Sequence, residues 1–146
     1  MLQDDIKDVA RDCLLMRTRL ISRVITNIYD QELQPLGLNS PQFSLLVIMS
    51  RLGNANRSEI GRFNHQERST LTRNIQVIIS EGWAKEIQSE ISGRSRPLAL
   101  TDAGKLLLKK ALPAWKKAQK KAEKLLGANG VETIRDVSKQ LLNTGS

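Results

Sequence analysis

One stretch of the chain departs from helical periodicity, and its place in the order of elements limits the available folds. Residues 83–101 read WAKEIQSEISGRSRPLALT. Trp83, Ile87, Leu98 and Leu100 fit two short strands around the glycine-containing turn SEISGRS; the alternation is imperfect, so the strand assignment leans on the turn. The segments on either side repeat their apolar residues at three and four, the spacing of a helix with one buried face. From Asp5 to about Leu33, the residues Ile6, Val9, Cys13, Met16, Leu20, Val24 and Ile28 form one stripe, widened by Leu14, Leu15, Ile21 and Ile25. This predicts a single long helix whose apolar surface needs something large to cover it, such as a second subunit. Pro35, Gly37 and Pro41 in QPLGLNSP end it.

Shorter segments follow. Ser40 is expected as N-cap and Pro41 as first residue of the nearly all-apolar helix PQFSLLVIMSRLG. NANRSEIGRFN gives a third helix starting near Asn56 or Arg57, and HQERSTLTRNIQVIISEG a fourth ending at Gly82. Beyond the hairpin, Thr101 caps a long helix with Asp102 at its positive end, and Pro113 is expected to kink it. A last helix, VETIRDVSKQLL, aligns Val131, Ile134, Val137 and Leu141. The order predicts a mainly α chain with a small β-hairpin wing: a winged helix-turn-helix with long terminal dimerisation helices. One domain is expected over 1–146, with 1–36 and 102–146 as dimerisation helices and 37–101 as the winged-helix DNA-binding part.

Charge narrows the partner. The 146 residues hold 23 Lys and Arg against 15 Asp and Glu, a net +8, which favours a polyanion: nucleic acid or an acidic membrane surface. Aromatic residues make up only 3 %, leaving few stacking platforms for single strands and favouring double-stranded DNA. The balance is −1 over residues 1–40, +3 over 41–100 and +6 over 101–146. The amino-terminal MLQDDIKDVARD is acidic where a secretory signal is basic, and no apolar run approaches the roughly 20 residues of a membrane span. A cytoplasmic protein without a membrane partner is expected. Phosphate loops, dinucleotide fingerprints, zinc-helix motifs and nucleophile elbows are lacking, and one histidine leaves little acid–base chemistry near neutral pH. One cysteine and one histidine make neither a disulfide nor a metal cluster. No enzyme, cofactor or metal is expected.

On a helical wheel of residues 68–80, Leu71, Ile75, Ile78 and Ile79 share one arc. Ser69, Arg73, Gln76 and Ser80 lie opposite, with Thr70 and Thr72 on the flanks. That outward face holds hydroxyl, amide and guanidinium groups and almost no carboxylate, the chemistry that meets base edges and phosphates. Any surface helix has a polar face. Here, however, a short helix, RSEIGRF, lies one turn upstream and a hairpin bearing Arg94 and Arg96 follows at once.

In LGLNSPQFSLLVIM, RSEIGRFNHQERSTLTRNIQVIISEGW and SGRSRPLALTDAGKLLL, the chain resembles the MarR family of winged-helix transcription regulators. These stretches span residues 36–108, and the flanking helices match the family's dimerisation parts. The resemblance implies a homodimer on a pseudo-palindromic operator, most often as a repressor, released by a small ligand or an oxidant. It implies base or phosphate contacts from Arg68, Ser69, Thr70, Thr72, Arg73 and Gln76, and minor-groove entry by Arg94 with Arg96. The family's wing usually carries Asp-x-Arg; here Ser92-Gly93-Arg94 keeps the arginine and lacks the acid. His65 falls in the turn before the recognition helix, within reach of a phosphate.

Three further features carry alternatives. Cys13 reads as a small hydrophobe or as an oxidant sensor; some relatives sense peroxide through a cysteine of the first helix, although theirs aligns nearer Leu15. Met16, Tyr29, Phe43 and Trp115 fit either core packing or the small aromatic ligands that the family binds beside its dimerisation helices. The eight lysines of residues 105–124 read as a solvated helix face or as an extended DNA footprint. The rival to an operator-specific regulator is a winged-helix architectural or protein-interaction module without operator specificity.

Overall fold

The computed structural model describes residues 1–64, 68–88 and 96–144. Among the described residues, six α-helices and one antiparallel strand pair follow the order α1 (Leu2–Asp12), α2 (Leu14–Leu33), a 3-10 turn (Gln34–Leu36), α3 (Ser40–Leu52), α4 (Arg57–Asn64), α5 (Arg68–Ser80), β1 (Ala84–Glu86), β2 (Leu98–Leu100) and α6 (Asp102–Thr144). This is the mainly helical winged helix-turn-helix that the sequence order implies.

Three local features differ from the sequence expectations. The first long helix is interrupted: Cys13 has extended backbone (φ −64°, ψ 113°) and separates α1 from α2. The Arg17 guanidinium donates through Nε to the Arg11 carbonyl at 2.8 Å, serving one of the acceptors that a helix end leaves open. A break one residue long shifts the apolar stripe too little to show in the periodicity. The N-cap of α3 is Asn39, not Ser40. Asn39 Oδ1 accepts the Gln42 N–H at 2.9 Å and Gln42 Oε1 accepts the Asn39 N–H at 3.0 Å, a reciprocal capping box. Ser40 instead opens α3 and donates both its N–H and its hydroxyl to Asp30 Oδ1, each at 2.6 Å, tying α3 to α2. In α6 the backbone leaves helical geometry at Gly127 (φ 73°, ψ 167°), while Pro113 lies within the helix. The two expected carboxy-terminal helices are therefore two arms joined at Gly127.

The core gathers around α3. Leu45, Leu46 and Met49 of α3 are buried with Leu33 of α2, Ile60 of α4, Ile75 and Ile78 of α5 and Leu98 of β2. Buried Ala111, Ala118 and Ala122 give α6 a stripe of small side chains, and α6 packs along α2. The strands are antiparallel, with Ala84 opposite Leu100, Lys85 opposite Ala99 and Glu86 opposite Leu98. Ala55, between α3 and α4, adds a one-residue bridge: it accepts the Leu98 N–H at 2.8 Å and donates to the Leu98 carbonyl at 3.2 Å. The hairpin is thereby stitched to the loop that precedes α4.

The junction of α5, the hairpin and α6 is tight. Gly82 (φ 78°) closes α5: its own N–H reaches the Ile79 carbonyl at 3.0 Å and the Trp83 N–H reaches the Ile78 carbonyl at 3.0 Å, a left-handed glycine stop. Thr101 caps α6 by accepting the Gly104 N–H at 3.1 Å and donates its hydroxyl to the Gly82 carbonyl at 2.6 Å. Its N–H donates to the Trp83 carbonyl at 3.0 Å. A Cβ on Gly104 would lie 2.1 Å from that same carbonyl oxygen, so only glycine permits the approach.

Candidate nucleic-acid interface

The helix pair α4–α5 forms because α4 carries its own start signal and the two helices share an apolar seam. Asn56 Oδ1 accepts the Glu59 N–H at 2.8 Å and so caps α4. Ile60 is fully buried, and a Cβ on Gly61 would stand 3.0 Å from Leu71 Cδ2, so the glycine lets α4 close onto α5. Leu71, Ile75 and Ile78 face inward from α5. Arg68, Ser69, Thr72, Arg73, Gln76 and Ser80 are exposed, and Thr70 is half-buried on the flank. Those six helix residues of the predicted reading surface that include Thr70 lie on one element, and each has an accessible side chain. The Thr72 hydroxyl donates to the Arg68 carbonyl at 2.8 Å and Ser80 to the Gln76 carbonyl at 2.8 Å. Each hydroxyl then presents lone pairs outward and suits a donor on a base better than a phosphate oxygen.

Sequence reasoning missed several residues of this surface. Val77 is 41 % exposed, four residues after Arg73 and therefore on the same face. The wheel position was the available signal; its β-branched apolar character masked it. Arg57, Ser58 and Arg62 of α4 join Arg68 and Thr72 in lining a groove between the two helices. A second, shallower depression is lined by Arg68, Ser69, Thr72 and Arg73.

The hairpin base adds an ion triad. Arg57 Nη2 stands 2.8 Å from Glu86 Oε1, and Arg96 Nη1 stands 3.4 Å from Glu86 Oε2. The hydrogen bond from Arg57, then that from Arg96, hold the Glu86 carboxyl below the ordinary carboxylate range. Arg96 is thus paired within the protein. Arg94, with Ser92, Gly93 and His65, lies outside the described residues.

The remaining candidate residues are dispersed. Cys13 is a half-buried free thiol at the α1–α2 break. The cations near it in sequence are engaged: Arg11 with Asp8 and Asp12, each at 2.9 Å, and Arg17 with the Arg11 carbonyl. Tyr29 and Phe43 are partly buried against the core, and the Tyr29 hydroxyl hydrogen-bonds Gln119. Trp115 is half-buried on α6, and Met16 is 53 % exposed on α2. Two of the basic-run lysines brace α2, Lys121 at 2.5 Å and Lys117 at 3.7 Å from the Glu32 carboxylate. Among the described residues no cluster of three metal-ligating side chains occurs, and no helix is long and apolar enough to cross a membrane.

Comparison with known proteins places this geometry. The chain is 30 % identical to the transcriptional regulator MosR of M. tuberculosis, solved in complex with DNA, over 88 % of this chain and 93 % of that one, with a TM-score of 0.77. A cysteine-to-serine mutant of E. coli MarR in complex with operator DNA superposes over 97 % of this chain and 99 % of its own at 19 % identity, with a TM-score of 0.79. A probable transcriptional regulator from Pseudomonas aeruginosa does so over 90 % and 98 % at 20 % identity, with a TM-score of 0.80. The likeness to these last two is one of fold. Among curated proteins, an uncharacterized HTH-type transcriptional regulator of Bacillus subtilis, YwoH, is 32 % identical over 69 residues, 47 % of this chain and 50 % of its own length. The match thus spans half of that relative. No protein-family model matches the chain.

Proposed function

This chain belongs to the MarR family of winged helix-turn-helix transcriptional regulators, and from that premise we propose that it binds double-stranded DNA sequence-specifically, as a homodimer on a pseudo-palindromic operator. It acts as a repressor that a small ligand or an oxidant releases. The observation that carries the reading is the exposed face of α5, where Arg73 stands among Ser69, Gln76 and Ser80 on a helix that contains no carboxylate. Arg73 and Gln76 offer donors to base edges, and Val77 an apolar surface for a thymine methyl. Arg62 and Arg68 neutralise phosphates along the α4–α5 groove, and the Ser58 hydroxyl donates to them. Arg94 enters the flanking minor groove.

The terminal helices support dimerisation. No residue of α1 is buried, and Leu2, Ile6 and Val9 stand 71 %, 52 % and 53 % exposed. Leu14 and Leu15 on α2 and Ile134, Val137 and Leu142 on the far arm of α6 are exposed as well. Large apolar side chains left in solvent on the terminal helices mark an interaction site, and pairing through these helices sets two α5 helices about one DNA turn apart, roughly 34 Å. The test is selection of bound duplexes from a random pool, followed by affinity measurement. Arg73→Ala weakens binding to the selected duplex by about 1–3 kcal/mol and relaxes the base preference at one position per half-site. Equal affinity of both proteins for that duplex refutes the assignment of Arg73.

A further inference from the structure

One carboxylate joins the first residue of α4 to the descending side of the hairpin. Both oxygens of Glu86 are used, Oε1 by Arg57 and Oε2 by Arg96, across 29 and 10 residues of sequence. Glu86 sits on β1 opposite Leu98, whose backbone also bridges to Ala55, so the triad closes over the point where the wing meets the loop before α4. Arg57 is at the same time a lining residue of the α4–α5 groove. Its side chain is 37 % exposed and that of Arg96 64 %, so both guanidinium groups lie within reach of solvent and of any polyanion that docks there.

We propose that Glu86 is a positioning residue that sets the ratio of specific to non-specific DNA binding, by pairing Arg57 and Arg96 and so withholding them from phosphates. This rests on the reading of the chain as a duplex-DNA binder. Ion pairs this exposed contribute little to folding, so the carboxylate has little structural reason to gather two arginines at the edge of a DNA-facing groove. The energetic consequence lies in binding. An arginine held by a carboxylate releases no counterion on meeting DNA; a freed arginine that contacts a phosphate adds about 0.9 to the slope of log K against log salt. Such a contact forms on any sequence and therefore raises random binding. Binding to the operator gains less, because there α5 fixes the register of the protein on the duplex and the freed arginines reach only the phosphates that this register allows. With both guanidinium groups held by Glu86, affinity depends on the reading face of α5. The two guanidinium groups lower the Glu86 pKa, so the carboxylate is ionised and the pairing present at neutral pH.

The experiment is a salt titration of Glu86→Gln on two duplexes of equal length, one recovered by selection and one random. The slope on random DNA steepens by up to about 1.8, the value for two added phosphate contacts. Preference for the selected duplex falls by about tenfold, while thermal unfolding stays close to that of the wild type. The triple variant Glu86→Gln, Arg57→Gln, Arg96→Gln returns the slope to the wild-type value, because the gain requires the freed arginines. A steeper slope that survives in the triple variant reduces the effect to removal of one negative charge and overturns the proposal. Unchanged slopes in Glu86→Gln, or a parallel loss of both affinities with a lowered unfolding temperature, overturn it as well. A wild-type protein that ignores both duplexes overturns the DNA-binding reading itself, and is told apart because the failure then precedes any substitution.

Discussion

Gly104→Ala tests whether α6 is locked to the end of the recognition unit. The added Cβ would stand 2.1 Å from the Trp83 carbonyl oxygen, 3.0 Å from its carbon and 3.2 Å from its Cα. Relief needs a retreat of about 1 Å to reach ordinary contact, and backbone on both sides leaves no flexible side chain to yield. That retreat pulls on the Thr101 N–H bond to the Trp83 carbonyl, 3.0 Å long, and on the Thr101 hydroxyl bond to the Gly82 carbonyl, 2.6 Å long. Each is worth about 1 kcal/mol, and the residual crowding costs about 1–3 kcal/mol more. Alanine returns about 1 kcal/mol through helix propensity. The net destabilisation is roughly 2–4 kcal/mol, read as a lower urea midpoint at unchanged slope. A variant equal to the wild type in stability, or above it, would show the propensity gain realised without the clash. The α6–Trp83 contact would then not be the constraint argued here.

Substitutions at two further residues examine the links from α2. Asp30→Ala removes the acceptor of both Ser40 donors and destabilises by about 1–3 kcal/mol, whereas Asp30→Asn keeps an oxygen and loses less; equal losses in urea denaturation would contradict the two-donor geometry. Glu32 has a lowered pKa because Lys121 hydrogen-bonds it, with Lys117 adding to the field. Its folded pKa lies below its unfolded one, so its stabilisation is complete above the unfolded value of about 4.3 and is lost as pH falls through the depressed folded value. Glu32→Gln therefore flattens the fall in stability on the acid side of pH 5. Parallel stability curves for the two proteins between pH 5 and 3 would remove Glu32 from the account.

How much of this was legible depended on the range of the interaction. Helix faces and stops are local, so the inward set Leu71, Ile75 and Ile78, the Gly82 stop and the Thr101 cap can all be read from spacing. The cap of α3 was legible too, in the Asn39-Ser40-Pro41-Gln42 spacing: only Asn39 has an amide three residues on, which decides between two good cap residues. The break at Cys13 was not, since one extended residue leaves the apolar repeat almost in phase. Nor was the reason for glycine at 104, which lies in a carbonyl 21 residues away in sequence, at Trp83. Glu86 is a single acid in a hairpin arm, and its two partners come together only once α4 and β2 are placed. Apolar exposure behaved differently. Periodicity identified the stripe on the terminal helices, but only the folded chain separates Leu33, which is buried in the core, from Ile6 and Val9, which stay at the surface.

These contacts bear on how an event at the terminal helices reaches DNA. The α6 helix enters the winged unit through Thr101, whose four hydrogen bonds join it to Gly82, to Trp83 and, twice, to its own first turn. Gly82 and Trp83 in turn close the end of α5 on the Ile79 and Ile78 carbonyls. A movement of α6 would therefore pull directly on the end of α5, because Thr101 bonds to Gly82 and Trp83 across this joint. At its other end the hairpin is held to α4 by Glu86 and to the preceding loop by Ala55. In a dimer joined by the terminal helices, the separation of the two α5 helices then follows the angle at which α6 leaves the dimer seam. On the proposed reading, a ligand or oxidant acting near α1, α2 or α6 would need no contact with α5 to change DNA affinity. It needs only to favour one α6 angle over another, by the difference in its own affinity for the two.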